Sequence, residues 1–302
     1  MALPVWPATL PAKPLRAGLD GRAPAPMRRL PMETGQSRAR ALFVSSPCEI
    51  ETGWRMTAEQ FARFKAFYTG DLDFGTKWFS APLWTGGAVA PVEAFFAERW
   101  RAAPRAAAAV TVTARLRLRA LPFAPVAGEI LDGFFGADGM PEWPAALPAA
   151  PLQDGHGLDP HRPLQVTDFE DGPKAAVNPF PPSPAEQTPR WTMSPAQFET
   201  FKAFHALALK QGAVWFRLPL WFGPGLQSAE ARFTGPFSFA PHGTFEADGA
   251  ARILVTAPLE QRRLPVASEA ALAFLEALTG DGFAGFAAGI HEFVHETWPE
   301  AF

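Results

Sequence analysis

Residues 54–84 read WRMTAEQFARFKAFYTGDLDFGTKWFSAPLW, and residues 191–221 read WTMSPAQFETFKAFHALALKQGAVWFRLPLW. The two stretches align without a gap at an offset of 137 residues, and 15 of their 31 positions are identical. Further on, VTVTARLRLRALP (110–122) matches ILVTAPLEQRRLP (253–265) at an offset of 143. Because self-similarity at a fixed period marks a repeated structural unit, the chain is predicted to be a tandem duplication of a domain of roughly a hundred residues.

Each copy carries the signals of one short helix followed by strands. Thr57 and Gln60, like Ser194 and Gln197, form a capping-box pattern ahead of a segment with phenylalanine at three-residue steps. An aromatic-rich, strand-like segment follows, KWFSAPLW or VWFRLPLW, and residues 110–118 alternate strictly between apolar and other positions. The predicted fold class is therefore α+β and mainly β, with two tandem small antiparallel β-sandwich or barrel domains that each pack one helix.

The aromatic residues that recur in both copies are predicted to form the two cores. The chain has 27 Phe and 10 Trp but a single Tyr, and rings without hydroxyls suit buried packing. An aromatic ligand platform is the alternative interpretation of the same residues. The predicted core residues are Trp54, Phe61, Phe64, Phe67, Trp78, Trp84, Trp191, Phe198, Phe201, Phe204, Trp215 and Trp221.

The repeat and the distribution of its 33 prolines divide the chain into five segments. They are an irregular N-terminal arm (1–29), a first β-rich repeat (30–122), a Pro-rich linker with a short helix (123–165), a second β-rich repeat (166–265) and a C-terminal helical extension (266–302). Extended, proline-rich composition favours a linker. The arm and the linker are expected to lie over neighbouring subunits and to gain order on assembly.

The composition argues against several classes of partner. The net charge is only -3 and charged residues are 19% of the chain, so no strong field is available for nucleic acid or an anionic membrane. No apolar stretch approaches the ~18 residues of a membrane helix. The single cysteine, Cys48, excludes an internal disulfide framework, which is typical of a reducing cytoplasm.

Two short patterns suggest chemistry, and both have a plainer interpretation. HEFVH (291–295) matches the zinc-peptidase pattern, but only seven residues follow His295 and none is a histidine or cysteine that could be the third ligand. GDGFAG (280–285) matches a dinucleotide-binding pattern, but a helix-like segment precedes it rather than a strand. We interpret the two as a surface helix and an interhelical turn, and we expect no catalytic residue, no metal and no cofactor.

The last strand of the first repeat suggests an interaction surface. Arg115, Arg117 and Arg119 share the face opposite its aliphatic residues, whereas the second repeat has Pro258, Glu260 and Arg262 there. The arginines form either a solvated face or a subunit interface that receives carboxylates from a neighbour. Because the two copies present different surfaces, we take Arg115, Arg117, Arg119 and Arg262 as the candidate interface.

The order of these segments resembles a known family. AQFETFKAF, GAVWFRLPL and ILVTAPL, together with their first-copy counterparts, are similar to the minor tail proteins of long-tailed bacteriophages, typified by the lambda minor tail protein M and the distal tail proteins. The resemblance implies a non-enzymatic ring protein between the tail tube and the tip, located in the virion tail and assembled in the host cytoplasm. This chain has two copies where that family has one, and it adds C-terminal helices.

The duplication suggests how such a ring is built. Closed rings arise from repeated head-to-tail contacts, and three chains with two copies each would give a threefold ring with pseudo-sixfold symmetry. The expected partners are further copies of the chain and other tail proteins of the tube and the hub or tip. Two alternatives stay open: a host-surface module that binds glycan through exposed Trp100 or Trp143, and a zinc hydrolase that uses His291, Glu292 and His295.

Overall fold

The computed structural model describes residues 3–15, 18–23, 25–32, 37–43, 47–86, 89–105, 109–123, 131–154, 157–160, 165–167, 175–177, 184–222, 225–243 and 252–263. All of these residues belong to one unit, Met1–Leu264, and a second unit spans Pro265–Phe302. The predicted C-terminal helices lie outside the described residues, as do the HEFVH and GDGFAG patterns. Of the predicted linker helix, GEILDGFF (128–135), residues 131–135 are described, and Leu131 and Asp132 are helical.

The described part of the first copy contains one α-helix, and its strands are short to medium in length. The strands are β1 (Asp20–Arg22), β2 (Met27–Pro31), β3 (Ser37–Ala41), β4 (Cys48–Met56), β5 (Phe79–Trp84), β6 (Val89–Phe96), β7 (Arg101–Pro104) and β8 (Val110–Leu118). Helix α1 (Ala58–Ala66) continues into a π-helical segment, Phe67–Asp71. Thr57 and Gln60 form the predicted capping box before α1.

The second copy repeats this order. Its strands are β9 (Leu158–Pro160), β10 (Gln165–Thr167), β11 (Ala175–Val177), β12 (Ala185–Gln187), β13 (Arg190–Met193), β14 (Phe216–Phe222), β15 (Gly225–Phe233), β16 (Ser238–His242), β17 (Arg252–Thr256) and β18 (Leu259–Gln261). Helix α2 (Pro195–Ala203) continues into the π-helical segment Phe204–Ala208. Over the described residues the fold is α+β and mainly β, with the two helices α1 and α2 and several antiparallel sheets, and the predicted fold class is confirmed.

One sheet runs across both copies. It has nine strands in the order β13-β17-β16-β1-β4-β8-β6-β5, with β7 paired to β8 beside this path. A five-stranded sheet, β14-β15-β18-β12-β9, belongs to the second copy alone, and β2–β3 and β10–β11 form two separate hairpins. The two copies therefore do not form two independent sheets, a point that the sequence leaves undecided.

Two prolines explain why the second copy divides its strands between two sheets. Strand β4 pairs continuously with β8, whereas the matching ladder of the second copy is interrupted between β12 and β13 and between β18 and β17. Pro189 and Pro258 lie at these interruptions. Proline has no amide hydrogen for a ladder, so the two halves of each strand can separate.

Strand register shows that the two copies have matching topology. Gly21 pairs with Ile50 in β1–β4, and Leu158 pairs with Gln187 in β9–β12. Leu158 and Gln187 lie 137 residues after Gly21 and Ile50, respectively, so the two pairs match at the offset of the repeat. The register of the β2–β3 hairpin likewise recurs in β10–β11. Strand β7 pairs with the start of β8 as β16 pairs with β17. We therefore treat β1 and β9, the two hairpins, and β7 and β16 as counterparts.

The repeat also extends into the expected arm and linker. Residues 4–15 read PVWPATLPAKPL and residues 141–152 read PEWPAALPAAPL, with 9 of 12 positions identical at the same offset of 137. The Trp6 ring lies 4.8 Å from that of Trp54, and the Trp143 ring lies 4.9 Å from that of Trp191. These proline-rich stretches are thus packed parts of their own copies, because each tryptophan buries a large apolar area there.

The predicted core aromatics divide into two groups. Buried residues are Trp54, Phe64, Phe67, Trp191, Phe198, Phe201 and Phe204. Half-buried residues are Phe61, Trp78, Trp84, Trp215 and Trp221. The half-buried tryptophans lie at positions of β5 and β14, or next to these strands, that alternate with the fully buried Phe79 and Phe216. Since neighbouring strand residues point to opposite faces, these tryptophans cannot share the inner core with those phenylalanines.

Candidate protein–protein interface

The two copies join at the edge of strand β1. One edge of β1 pairs with β4 of its own copy, and the other pairs with β16 of the second copy, which places Gly21 opposite Phe239. The Phe239 ring lies so close that a Cβ atom on residue 21 would be 2.1 Å from its Cζ atom. Phe239 is buried and lies 5.0 Å from the Phe198 ring, so it has little room to move. Glycine is therefore required at position 21 by this contact.

We expect Gly21→Ala to lower the free energy of unfolding by about 2 to 3 kcal/mol, because overpacking a close-packed site forces side chains and backbone apart. Gly225→Ala is the matched control, since a Cβ atom there meets nothing within 4 Å. Urea denaturation of both variants measures the difference. Equal stability of the two variants would contradict the close contact between Gly21 and Phe239.

Lys202 of helix α2 forms a second link between the copies. Its Nζ atom donates to the Thr85 carbonyl at 3.3 Å and the Pro122 carbonyl at 2.6 Å, both in the first copy, and to Glu199 Oε1 at 2.8 Å. Burial lowers the pKa of Lys202, and the hydrogen bond that Lys202 donates to Glu199 opposes that effect. The matching Lys65 of α1 is exposed. Equivalent lysines of the two copies are therefore in different environments, buried at Lys202 and exposed at Lys65.

The β2–β3 hairpin of the first copy is clamped onto the second copy by a buried ion pair. Arg232 donates to Glu260 Oε2 at 2.9 Å and to Ser37 Oγ at 2.8 Å. Glu260 also accepts from the Ser37 amide at 2.9 Å and from its hydroxyl at 2.7 Å. Burial by itself raises the pKa of Glu260, but the hydrogen bonds from Ser37 and Arg232 outweigh it, and the pKa lies below its ordinary value.

Further charges and one aromatic ring complete this clamp. Arg29 of the hairpin lies 2.9 Å from Glu186 and 3.1 Å from Glu260. The Arg232 guanidinium stacks 4.3 Å from the centre of the Trp215 ring. The buried Glu260 carboxylate is thus paired with two arginines and hydrogen-bonded to Ser37, and these contacts join the hairpin to the second copy.

The candidate arginines in strand β8 and directly after it are paired with carboxylates of the same chain. Arg115 lies 2.7 Å from Glu98, Arg117 lies 2.9 Å from Glu49, and Arg119 lies 2.9 Å from Glu93. All these side chains are at least one-third exposed, so each pair contributes at most about 1 kcal/mol. The structure thus brings Arg115, Arg117 and Arg119 onto one solvent-facing surface, with partners supplied from neighbouring strands.

Arg262, the fourth candidate, occupies the matching surface of the second copy. It lies 3.0 Å from Glu230, and its guanidinium is 5.9 Å from the Trp215 ring. In the first copy, the Arg119 guanidinium lies 5.1 Å from the Trp78 ring. The surface around Trp215 borders the clamped hairpin, whereas the side chain of Arg119 is 62% exposed. The candidate residues therefore mark one surface that is partly covered in one copy and open in the other.

A cleft of about 1110 Å³ lies between the hairpin and the second copy. Its lining residues include five arginines and one aspartate. They are Arg28, Arg38, Arg40, Arg232, Arg262 and Asp138. Guanidinium groups recognise carboxylates well, so this cleft is chemically suited to an acidic segment of another protein.

Within the described ranges, no group of three or more His, Cys, Asp or Glu residues is placed to hold a metal ion. No helix in that part of the chain is long and apolar enough to cross a membrane.

The two tryptophans considered for glycan binding are not free platforms. Trp143 is 8% exposed and stacks on Trp191. Trp100 is half-buried, with its ring packed edge-on against Phe61 and Phe64. A ring already covered by other aromatic side chains offers little face for a sugar, so the exposure assumed for Trp143 does not hold.

Comparison with known proteins gives no family for the chain. No protein-family model matches it, and no curated protein is similar to it at a significant level.

Some residues at the internal junction, the contact between the two copies around Gly21, Lys202 and Ser37, carry no distinctive sequence signal. Lys65 and Lys202 occupy identical positions of the repeat, so their different burial cannot be predicted from the alignment. Gly21 aligns with Leu158 in the second copy, and this difference could have suggested that the two positions have different neighbours. The proline-rich stretches 4–15 and 141–152 match strongly and could have been found by extending the offset of 137 upstream.

Proposed function

We propose that the chain is a structural protein of a tailed-phage virion. It forms a ring in the tail, as a distal-tail or tube-to-tip adaptor, and works through protein–protein contacts without chemistry or a cofactor of its own. The likeness to minor tail proteins in the order of helix, glycine, aromatic strand and closing strand supports the phage setting. In this proposal its partners are copies of itself and proteins of the tube and the tip.

The observation that carries the proposal is the unequal contact between the two copies. Strand β1 of the first copy meets β16 of the second, so two different surfaces join. A contact of this kind is heterologous, and it leaves one unused surface of each type on the molecule. Repetition of such a contact gives a closed ring when the rotation closes. Three chains would place six copies around the ring, as suits a joint between a sixfold tube and a threefold tip.

Native mass spectrometry of the purified chain tests the ring. We expect a species of about 98 kDa, three times the 32.7 kDa chain, with no bound metal. A monomer that holds one zinc ion tightly would contradict the proposal and favour the hydrolase interpretation of HEFVH.

Quantitative proteomics of purified tailed particles from the source culture tests the location. The chain should be present in those particles, in a copy number that is a multiple of three. Its absence from particles, or a copy number that three does not divide, would contradict the tail function.

A further inference from the structure

We propose that the chain assembles head to tail by using its internal junction a second time, with strand β9 of one molecule pairing with strand β7 of the next. The inference rests on the proposed ring and names the surface that forms it. The occupant of both surfaces is another copy of this chain. The internal contact of β1 with β16 serves as the template, because β9 is the counterpart of β1 and β7 is the counterpart of β16.

Among the described residues, strands β9 and β7 each have one unpaired edge. Strand β9 ends the five-stranded sheet and pairs with β12, and strand β7 pairs with β8 at the side of the nine-stranded sheet. Neither strand has a second partner among the described residues. All four residues of β7 are exposed, and Leu158 of β9 is 39% exposed. An edge strand presents unpaired amide and carbonyl groups that can pair with another chain.

When the register of β1 with β16 is applied to their counterparts β9 and β7, the side chains at the paired positions are complementary. Gly21 opposite Phe239 becomes Leu158 opposite Ala102, so a small residue faces a large one in both contacts. The neighbouring pair, Arg22 opposite Ser238, becomes Asp159 opposite Arg101, which brings together opposite charges. Cross-strand pairs of opposite charge stabilise a sheet, whereas like charges destabilise it.

Helix α1 carries an open counterpart of the surface that is covered on α2. Phe198 and Lys202 are buried against the first copy, with Lys202 bonded to the Thr85 carbonyl. The matching Phe61 is half-buried and Lys65 is exposed. In the proposed contact, Lys65 of one molecule meets the carbonyl of Phe222, the counterpart of Thr85, in its neighbour.

Applying the internal contact between the copies to two neighbouring molecules also gives a role to the surface that carries Arg115, Arg117 and Arg119. Within the chain, the β2–β3 hairpin covers the surface that carries Trp215 and Arg232. The β10–β11 hairpin, which has the same register, would cover the matching surface around Trp78 and Arg119 of the next molecule. The candidate interface of strand β8 then lies at the contact between subunits.

Backbone geometry indicates where a covalent cross-link can report this contact. The Ala23 amide donates to the Phe237 carbonyl in the β1–β16 register, so the pair Arg22 and Ser238 is of the non-hydrogen-bonded type. Such pairs have Cα atoms about 4.5 Å apart, within the range that a disulfide spans. The transferred pair, Arg101 and Asp159, is therefore the position for engineered cysteines. The only native cysteine, Cys48, is buried, and burial raises the pKa of its thiol to about 12, so it should not compete.

The experiment uses the full chain with Arg101→Cys, with Asp159→Cys, and with both changes, under mild oxidation. Either single variant alone should stay unlinked, and an equimolar mixture should give a covalent dimer of about 65 kDa, twice the chain mass. The double variant should give a ladder of multiples of the chain. Circular dichroism of each variant checks that it is folded. A single variant that links to itself, or a mixture of folded variants that gives no dimer, would overturn the proposal.

Charge exchange provides an independent measurement of the same pair. Arg101→Asp alone and Asp159→Arg alone should each weaken self-association by roughly fivefold in sedimentation, and the combined variant should recover most of that loss. Additive weakening in the combined variant would contradict the pairing. If cross-links form but the chain is absent from tailed particles, the tail function fails while this surface stands. If the chain is a trimer in tailed particles but no cross-link forms, the tail function stands and the proposed surface fails.

Discussion

Lowering the pH from 7.5 to 4.5 should destabilise the native protein by about 3 kcal/mol more than it destabilises the His205→Phe variant. His205 is buried among the rings of Phe201, Phe233 and Phe237, at 6.4, 4.8 and 5.0 Å between ring centres. Burial lowers the pKa of His205 to about 3 from its ordinary value of 6.5. The folded protein therefore keeps this imidazole neutral over most of the acidic range.

The direction of the effect follows from proton binding. Between about pH 6.5 and pH 3, the unfolded chain binds a proton at His205 and the folded chain does not, so stability falls as the pH falls, by about 1.4 kcal/mol per pH unit. Carboxylates such as Glu260 add their own loss, and the comparison with His205→Phe removes that common part. Denaturant titrations at several pH values measure the difference.

The duplicated chain offers a control for this experiment. Tyr68 is the counterpart of His205, and its ring is half-buried beside Phe96 at 5.2 Å. Tyr68→Phe changes a matching ring without removing the imidazole, so it should keep the pH profile of the native protein. Parallel pH profiles for the native protein and His205→Phe would show that the buried imidazole does not govern acid sensitivity.

Replacing Lys202 with methionine should lower the free energy of unfolding by about 3 kcal/mol. The substitution removes three charge-assisted hydrogen bonds, to Thr85, Pro122 and Glu199, and it leaves the buried Thr85 carbonyl without this donor. Hydrogen bonds to charged groups contribute about 1.5 to 3 kcal/mol, and breaking a buried pair from one side is costlier still.

Lys65→Met is the matched control for Lys202→Met. Lys65 occupies the same position of the repeat, but it is exposed, and its Nζ atom lies 5.0 Å from the Phe61 ring. Surface substitutions of this kind usually change stability by about 0.5 kcal/mol or less. Guanidinium-chloride denaturation of the isolated, unassembled chain compares the two variants. Equal losses would show that the link between Lys202 and the first copy contributes nothing.

Much of the local structure was predictable because it depends on near neighbours along the chain. The capping boxes at Thr57 and Ser194 need only the residue three positions on, and both are present. Strict alternation over residues 110–118 correctly predicted strand β8, with Leu116 and Leu118 buried and Arg115 and Arg117 on the outer face. Signals of this kind survive in any tertiary setting that provides one apolar side.

The candidate interface was only partly predictable. Strand alternation placed Arg115, Arg117 and Arg119 on one face, but their carboxylate partners are Glu98, Glu49 and Glu93, whose proximity depends on sheet order. The clamp between Ser37 and Glu260 joins residues 223 positions apart. No pattern in a single sequence predicts which distant strands become neighbours.

The sequence by itself determined the duplication, the mainly β composition and the helix starts, since these are written in repeated spacings and local propensities. Only the tertiary structure decided that β1 of the first copy pairs with β16 of the second and that Lys202 is buried while Lys65 is exposed. The physical reason is that an identical local sequence acquires its environment from what packs against it. In a tandem pair the copies cover different surfaces of each other, so equal residues come to have unequal burial.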